Sequence, residues 1–325
     1  MAQKGTGKTL EKLKSSVNDG KYYEAHQMYR TVARRYNKQE KYSNSIKLLH
    51  DGAVSLLEHK QSGSGSDLAN YMMDTYLLAN LPVDEQSLDR VIDILELYPS
   101  TEVGRKSFLS KTFSWTKKNG EYSEGDPELH DYVGTMFYQE GQFPLAEEHL
   151  LVGTDHSAEL LGRLSYTWAQ QDTNNGHGIY IARVVLQYIA MKSVRHATLA
   201  FNSFIETAKL SIQGESDFRY SPAGETVKVA TYNDSWLNFT QMVLLTVQRD
   251  AAALFKELKS TYAPMYHQHA GFDDLIDDIG AAFFNIQKPR KQGNMMQDLM
   301  NSLFAGGGGP PAPRQVAGSP SLGLD

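Results

Sequence analysis

The 325-residue chain contains no cysteine, few prolines and no long hydrophobic run. Without cysteine it has no thiol nucleophile, no thiolate ligand for zinc and no disulfide, as is usual in a reducing compartment. No apolar stretch reaches the length of a signal peptide or a membrane span, and the densest one, Met242 to Val247, is far too short. These absences favour a cytosolic protein that is not embedded in a membrane.

Prolines are concentrated at the end of the chain. Four of the 11 lie beyond residue 305, beside a run of glycine, and residues 306–325 have no apolar periodicity. We expect this Gly/Pro-rich stretch to be a disordered tail. The other prolines often stand at the boundaries of periodic segments, which favours a mostly helical body.

Positive charge is concentrated at the start of the chain. Residues 1–60 hold 12 of the 32 Lys and Arg residues but only 6 of the 38 Asp and Glu residues, a net charge of +6 in a chain of −6. The remainder therefore carries −12. A basic end can bind an acidic protein surface, anionic lipid or nucleic acid, and the acidic remainder makes nucleic acid the least favoured partner.

Apolar residues recur at helical spacing along most of the chain. Between residues 10 and 60 the spacing predicts three helices, broken near Asn18–Gly20 and Asn37–Lys38. Gln61–Ser66 is expected to be a flexible loop, after which Asp67 caps the next helix. Helices joined by such short turns must pack antiparallel to their neighbours.

The same pattern predicts further helices downstream. Asp84 or Ser87 can cap one that ends before Pro99, and Asp126 precedes Pro127 at another helix start. The remaining predicted helices are 157–170, 179–191, 193–210, 235–249, 251–262, 272–286 and 295–304.

Two segments share a short motif at a helix entrance. Gly20–Ala25 and Gly141–Ala146 both read G-x-aromatic-x-x-A, with no regular period between the copies. In helical-hairpin repeats the glycine closes the turn and the aromatic ring fills the space between helices. The chain is therefore predicted to be all-α, a right-handed α-solenoid of degenerate, TPR-like helical hairpins.

One segment departs from helical spacing. Val227 and Val229 alternate with polar or small residues after the turn Pro222–Gly224. This predicts one β-hairpin inserted near residues 218–233, which must pack on the helices or be covered by a partner because a lone hairpin is marginal.

Motifs for catalysis are weak. Gly5–Thr9 resembles the end of a phosphate-binding loop, but Ala2 stands where that loop requires its first glycine. His267 and His269 precede Asp273, Asp274, Asp277 and Asp278, which more simply place negative charge in the first turns of a helix. We therefore expect no enzyme activity, no metal and no cofactor.

Two surfaces are candidates for partner binding instead. The first is the basic first hairpin, whose alternative interpretation is an ordinary solvated helix face with aromatics in the core. Its residues include Lys14, Lys21, Tyr22, Tyr23, Arg30, Arg34, Arg35, Lys38 and Lys41. The second is the β-hairpin and the helix after it, apolar nearly all round and so either wholly buried or covered by another chain.

Four segments together resemble the Golgi to ER traffic protein 4 family, the helical scaffold of the guided entry of tail-anchored proteins pathway. They are Lys12–Tyr36, Gly125–His130, Leu150–Asp155 and Gln297–Met300. The resemblance covers most of residues 10–304, with a hairpin in the same late position, and excludes the Gly/Pro-rich tail.

The resemblance implies an adaptor with two partners. Residues 1–155 would bind a dimeric cytosolic targeting ATPase transiently and favour its nucleotide-bound form, and residues 156–305 would hold a ubiquitin-like adaptor protein stably. The implied ATPase-binding residues are Lys14, Lys21, Tyr22, Tyr23, Arg30, Arg34, Arg35, Lys41 and Asp74. Those implied for the ubiquitin-like partner are Val227, Val229, Tyr232, Trp236, Phe239 and Met242.

Two alternatives remain open at this point. Helix succession and composition would look alike in a helical-repeat scaffold subunit of another large cytosolic assembly, such as a proteasome-lid-like or vesicle-coat complex. A hydrolase that uses His267, His269 and the nearby aspartates is the less favoured alternative.

Overall fold

A computed structural model describes residues 11–172, 176–219, 224 and 226–288. Within these ranges the chain forms fourteen helices and one two-stranded antiparallel sheet. In chain order they are α1 (11–18), α2 (Tyr22–Lys38), α3 (Tyr42–Glu58), α4 (Ser62–Leu78), α5 (Glu85–Glu96), α6 (Val103–Asn119), α7 (Pro127–Gln139), α8 (Phe143–Leu150), α9 (Asp155–Gln171), α10 (Gly178–Ala190), α11 (Val194–Ala208), β1 (Gly214–Arg219), β2 (Thr226–Thr231), α12 (Ser235–Gln248), α13 (Ala252–Tyr266) and α14 (Phe272–Phe284).

Neighbouring helices pack as hairpins, and the hairpins stack into an α-solenoid, which confirms the predicted fold class. A continuous hydrophobic core runs through the stack. Its largest side chains with almost no exposed surface include Tyr76, Trp115, Tyr188 and Phe239. Because each helix contributes one or more buried faces to its neighbours, stability comes from stacking rather than from any single helix.

The first four helix ends share one turn, at a regular spacing of twenty residues. Gly20, Glu40, Lys60 and Asn80 all have positive φ. In each case the next residue donates its N–H to a carbonyl five residues back, as in Lys41 N–H to Tyr36 O at 3.0 Å. These bonds satisfy the last carbonyls of the helix and offset the strain of a left-handed residue. This twenty-residue spacing is not visible in the sequence, because only the first of the four positions is occupied by glycine.

Helix α4 begins at Ser62, so the predicted loop over Gln61–Ser66 and the cap at Asp67 are wrong. Gly65 and Ser66 are buried where α4 packs against α3 and α6. A Cβ on Gly65 would lie 2.7 Å from Cγ of Leu57, so only glycine fits this approach. Tertiary packing here outweighs the low helix propensity of serine and glycine.

Two other helices differ from the sequence prediction. Helix α6 was not predicted, because its buried side includes Arg105, Thr112 and Thr116 as well as apolar residues, which interrupts the periodic signal. Helix α13 continues to Tyr266 instead of ending at residue 262, with Pro264 inside its last turn. Proline removes a hydrogen bond there but does not end the helix.

The predicted β-hairpin is present and starts earlier, at Gly214. β1 and β2 pair antiparallel in a register that places Phe218 opposite Val227 and Ser216 opposite Val229.

Several predicted features lie outside the described residues. They are the motif at Gly5–Thr9 that resembles a phosphate-binding loop, the turn at residues 222–223, the helix over 295–304 and the tail over 306–325.

Candidate partner-binding surfaces

The basic first hairpin leaves most of its predicted residues open to solvent. Tyr23 is 74% exposed, and Arg34 and Arg35 lie on the solvent side of the last turns of α2. The other exposed bases are Lys14, Lys21, Lys38 and Lys41. Tyr22 is half-buried, since its ring packs 5.5 Å from that of His59.

Arg30 has a different role from the other bases. Its guanidinium pairs with Asp67 of α4, and Nε2 of His26 lies 2.8 Å from Oδ2 of the same carboxylate. Burial alone would raise the pKa of Asp67, but the hydrogen bonds from Arg30 and His26 lower it below its usual value. Arg30 is therefore charge-compensated and ties α2 to α4.

Arg34 and Arg35 differ from Arg30 in having no carboxylate partner among the residues that the structure describes. The Arg35 guanidinium lies 6.0 Å from the centre of the Tyr36 ring on the same helix. Two adjacent uncompensated cations give α2 a local positive field. An acidic partner can therefore bind here without first breaking an ion pair.

Asp74, the one acid predicted for this surface, is exposed and pairs with Lys111 of α6, with Oδ1 and Nζ 2.5 Å apart. It therefore lies where α4 meets α6, whereas Asp67 lies where α4 meets α2. The structure does not bring Asp74 together with Arg34 or Arg35 through any described contact.

The β-hairpin has one face turned to the helices and one to solvent. Phe218 and Val229 are buried and Val227 is half-buried, and all three lie on the inner face. The outer face consists of Glu215, Asp217, Arg219, Thr226, Lys228 and Ala230, mostly exposed. A cavity of about 280 Å³ separates the hairpin from α12 and α13 and is lined in part by Phe218, Met242 and Tyr262.

The apolar helix after the hairpin, α12, is covered by this chain itself. Tyr232, Trp236 and Phe239 are buried and Met242 is half-buried. The Trp236 ring lies 4.6 Å from that of Phe272. Of the six residues predicted to bind the ubiquitin-like partner, only Val227 and Met242 thus keep appreciable exposed surface.

Asp234 connects the starts of α10 and α12, which are far apart in the sequence. Its Oδ1 accepts from the N–H groups of Trp236 and Leu237 at the start of α12, at 2.8 and 3.3 Å. Its Oδ2 accepts from the N–H of Gly178 at the start of α10, at 2.9 Å. One carboxylate therefore caps two helices, and only the α12 cap could be anticipated from the local sequence.

The junction between α6 and the α7–α8 pair is polar and buried. Arg105, 4% exposed, forms a bidentate pair with Glu140, with Nη2 and Oε2 2.7 Å apart. Nδ1 of His130 lies 3.0 Å from Nδ1 of His149, and Nε2 of His130 donates to the carbonyl of Glu124. Burial lowers the pKa of His130; burial, followed by the neighbouring His130, lowers that of His149 to about 4.

His267 and three of the aspartates around α14 are taken up in ion pairs. His267 lies 2.5 Å from Asp273, while Asp277 pairs with Lys259 and Asp278 with Lys288. In the described ranges no group of three or more His, Asp or Glu side chains is arranged to hold a metal ion. Nor is any helix there long and apolar enough to cross a membrane.

Comparison with known proteins agrees with this architecture. Residues 39–304 match the family model described as Golgi to ER traffic protein 4. The Aspergillus fumigatus protein of that name is 35% identical over 313 residues, 92% of this chain and 90% of the relative. The Dictyostelium discoideum homolog is 26% identical over 302 residues, 93% and 90% of the two chains. The crystal structure of C. therm. Get4 has a TM-score of 0.79 and 36% identity, covering 96% of this chain and 99% of that one.

The fold and its exposed surfaces define an α-solenoid scaffold, a class that acts through extended protein-binding surfaces. The chain belongs to the Golgi to ER traffic protein 4 family, which confirms the resemblance found in the sequence. This membership supports a role in the guided entry of tail-anchored proteins.

Proposed function

We propose that this chain is a non-enzymatic, cytosolic adaptor that links two proteins during the targeting of tail-anchored membrane proteins to the ER. Residues 1–155 bind a dimeric targeting ATPase transiently and favour its nucleotide-bound form. Residues 156–305 hold a ubiquitin-like protein that recruits chaperones. Family membership supports the pathway, and the different chemistry of the two surfaces supports the assignment of partners.

The observation that carries the ATPase assignment is the pair of uncompensated arginines on α2. Arg34 and Arg35 are exposed and have no carboxylate partner in the described part of the chain, whereas the neighbouring Arg30 is neutralised by Asp67. Exposed charge speeds encounter with an oppositely charged surface and makes binding sensitive to salt. Such a contact suits a partner that binds and leaves.

Charge reversal tests this assignment. Arg34→Glu with Arg35→Glu should weaken ATPase binding strongly in a pull-down while the ubiquitin-like partner stays bound. The matched control reverses two exposed lysines of α6, Lys106 and Lys118, and so changes the net charge equally at another place. Equal loss of binding in both variants would show only a net-charge effect, and no loss in either would exclude this surface.

The junction of the hairpin with α12 supports binding of the ubiquitin-like partner, but through a smaller surface than the sequence suggests. Val229, Tyr232, Trp236 and Phe239 are core residues that support this site from behind. The accessible parts are the cavity beside Met242 and the outer strand edges, which can pair with an added strand. A stable partner would bury both this cavity, whose lining is part apolar and part polar, and the open backbone groups.

Substitution at the rim of this cavity tests the second assignment. Met242→Glu should release the ubiquitin-like partner on size-exclusion chromatography, because a carboxylate is costly to bury at an apolar contact. Thr226→Glu, on the outer face of the same hairpin, is the control and should leave the complex intact. An unchanged complex with Met242→Glu, in a variant whose circular dichroism is native, would contradict this placement.

A further inference from the structure

A groove of about 420 Å³ lies between α5 and α7, with one residue of α9 at its side. Half of its lining residues are apolar and half are polar or charged. The apolar ones are buried or half-buried: Leu88, Ile92, Leu129, Tyr132 and Met136. The exposed ones are all polar: Glu128, Gln139 and His156. The groove therefore combines a partly open apolar floor with a polar rim.

The face of α5 that lines this groove is acidic. Leu88 and Ile92 are the residues of α5 in the lining. Residues three or four apart on a helix lie on one face. Three acids stand at that spacing from the two apolar residues, and all three are exposed: Glu85, Asp89 and Glu96. Negative charge therefore borders the apolar floor along the whole of α5.

The opposite wall, on α7, is acidic as well. Glu128 and Asp131 both belong to the lining. Burial, and after it the charge of Glu96, raises the pKa of Tyr132 on this wall. That influence shows that the carboxylate of α5 and the apolar lining of α7 face the same space.

Most of these acids have no counter-charge. Asp131 is compensated, since its Oδ1 lies 3.0 Å from Nδ1 of His156. Arg90, the one base of α5, lies near the hydroxyl of Tyr76 on α4. The other four acids form no ion pair with any residue that the structure describes: Glu85, Asp89, Glu96 and Glu128. Uncompensated charges of one sign along a groove give it a negative potential.

We propose that the groove between α5 and α7 binds a protein segment in which apolar residues are flanked by lysine or arginine. The apolar side chains occupy the floor, and the cations lie beside the unpaired carboxylates of the rim. Nucleic acid or an anionic lipid surface would be repelled here. A purely apolar segment would desolvate the nearby carboxylates without giving them a partner. The groove is thus opposite in charge to the basic surface of α2 and takes a different partner.

A synthetic peptide tests the chemistry of the groove. The probe is a dye-labelled peptide of leucine and lysine, patterned as an amphipathic helix and titrated with the full chain by fluorescence anisotropy. We expect binding that weakens as the salt concentration rises. Glu96→Lys with Glu128→Lys, one residue on each wall, should weaken binding by about tenfold.

The matched control reverses two exposed acids elsewhere, Glu206 on α11 and Glu257 on α13, both to lysine. This control should bind the probe as the wild type does, and circular dichroism should show that both variants keep the fold. Equal loss in the two variants would overturn the proposal, because it would show only an effect of net charge. Unchanged binding in the Glu96 and Glu128 variant would also overturn it.

Two further measurements separate other occupants. A peptide with serine in place of leucine should bind more weakly, and equal binding would overturn the role of the apolar floor. Sedimentation should show that the chain alone stays monomeric. Self-association that disappears in the Glu96 and Glu128 variant would overturn the proposal by assigning the groove to a second copy. Neither proposed partner is present in these experiments, so the results do not depend on the proposed adaptor function.

Discussion

The two candidate surfaces, one chosen for its charge and the other for its apolar residues, differ in how much of them the fold leaves exposed. At the N-terminal end, the residues chosen for their charge are exposed, and Arg34 and Arg35 have no described acidic partner. Toward the C-terminal end, most of the residues chosen for their apolar character are buried, with α10 and α13 among the helices that pack against α12. Charge in a sequence therefore located accessible surface here, whereas a run of apolar residues located the interior.

The sharpest test of this difference compares one aromatic residue from each surface. Phe239→Ala should destabilise the protein by about 4 kcal/mol, because it leaves a cavity in a fully buried site. Tyr23→Ala, at a side chain 74% exposed, should change the free energy of unfolding by less than about 0.5 kcal/mol. Urea unfolding followed by circular dichroism measures both, and similar values would remove the distinction.

The stability of the junction between α6 and the α7–α8 pair, which lies between the two candidate surfaces in the chain, should be sensitive to acid. His149 is neutral when folded, with its pKa lowered from 6.5 to about 4, so its stabilising contribution is present above pH 6.5 and is lost as the pH falls toward 4. This amounts to about 3 kcal/mol. The wild-type chain should therefore lose that much more stability between pH 7 and pH 4 than His149→Gln does. His177→Gln, at an exposed histidine, is the control and should behave as wild type.

The shared helix cap tests how tightly the C-terminal region is tied together. Asp234→Ala removes the caps of α10 and α12 at once and should cost about 2 kcal/mol. Asp217→Ala, on the exposed face of the hairpin, should be within about 0.5 kcal/mol of wild type. Hydrogen exchange should locate the loss in the first turns of both helices, and a loss confined to α12 would contradict the double cap.

The smallest expected effect separates the arginines of α2. Arg30→Ala should cost about 1 kcal/mol, because the Arg30–Asp67 pair is partly exposed and its attraction is partly screened. Arg34→Ala should cost less than about 0.5 kcal/mol and should still weaken ATPase binding. A stability cost for Arg34→Ala equal to that for Arg30→Ala would show that both arginines are structural.

Much of the fold could be predicted because helix entrances and apolar spacing are local signals. Asp84 with Ser87 and Asp126 with Pro127 mark α5 and α7 where the structure places them. The errors arise where packing between helices, rather than local sequence, determines where a helix begins. Helix α4 starts within a Ser/Gly-rich stretch, where Gly65 packs closely against Leu57 of α3. No local pattern reveals that packing.

The same limit applies to the candidate sites. The exposure of Arg34 and Arg35 could be predicted from their positions on an amphipathic helix. The pairing of Arg30 with Asp67, the His130–His149 contact and the reach of Asp234 to Gly178 join residues far apart in the chain. Only the folded stack brings these groups together.

The central claim is that one molecule links the two partners, and a ternary complex tests it most directly. The full chain, mixed with the ATPase in its nucleotide-bound form and with the ubiquitin-like protein, should elute from size-exclusion chromatography as one complex that contains all three. Raising the salt concentration should release the ATPase first, since its contact depends on exposed charge. Mutually exclusive binding, in which one partner displaces the other, would contradict the account.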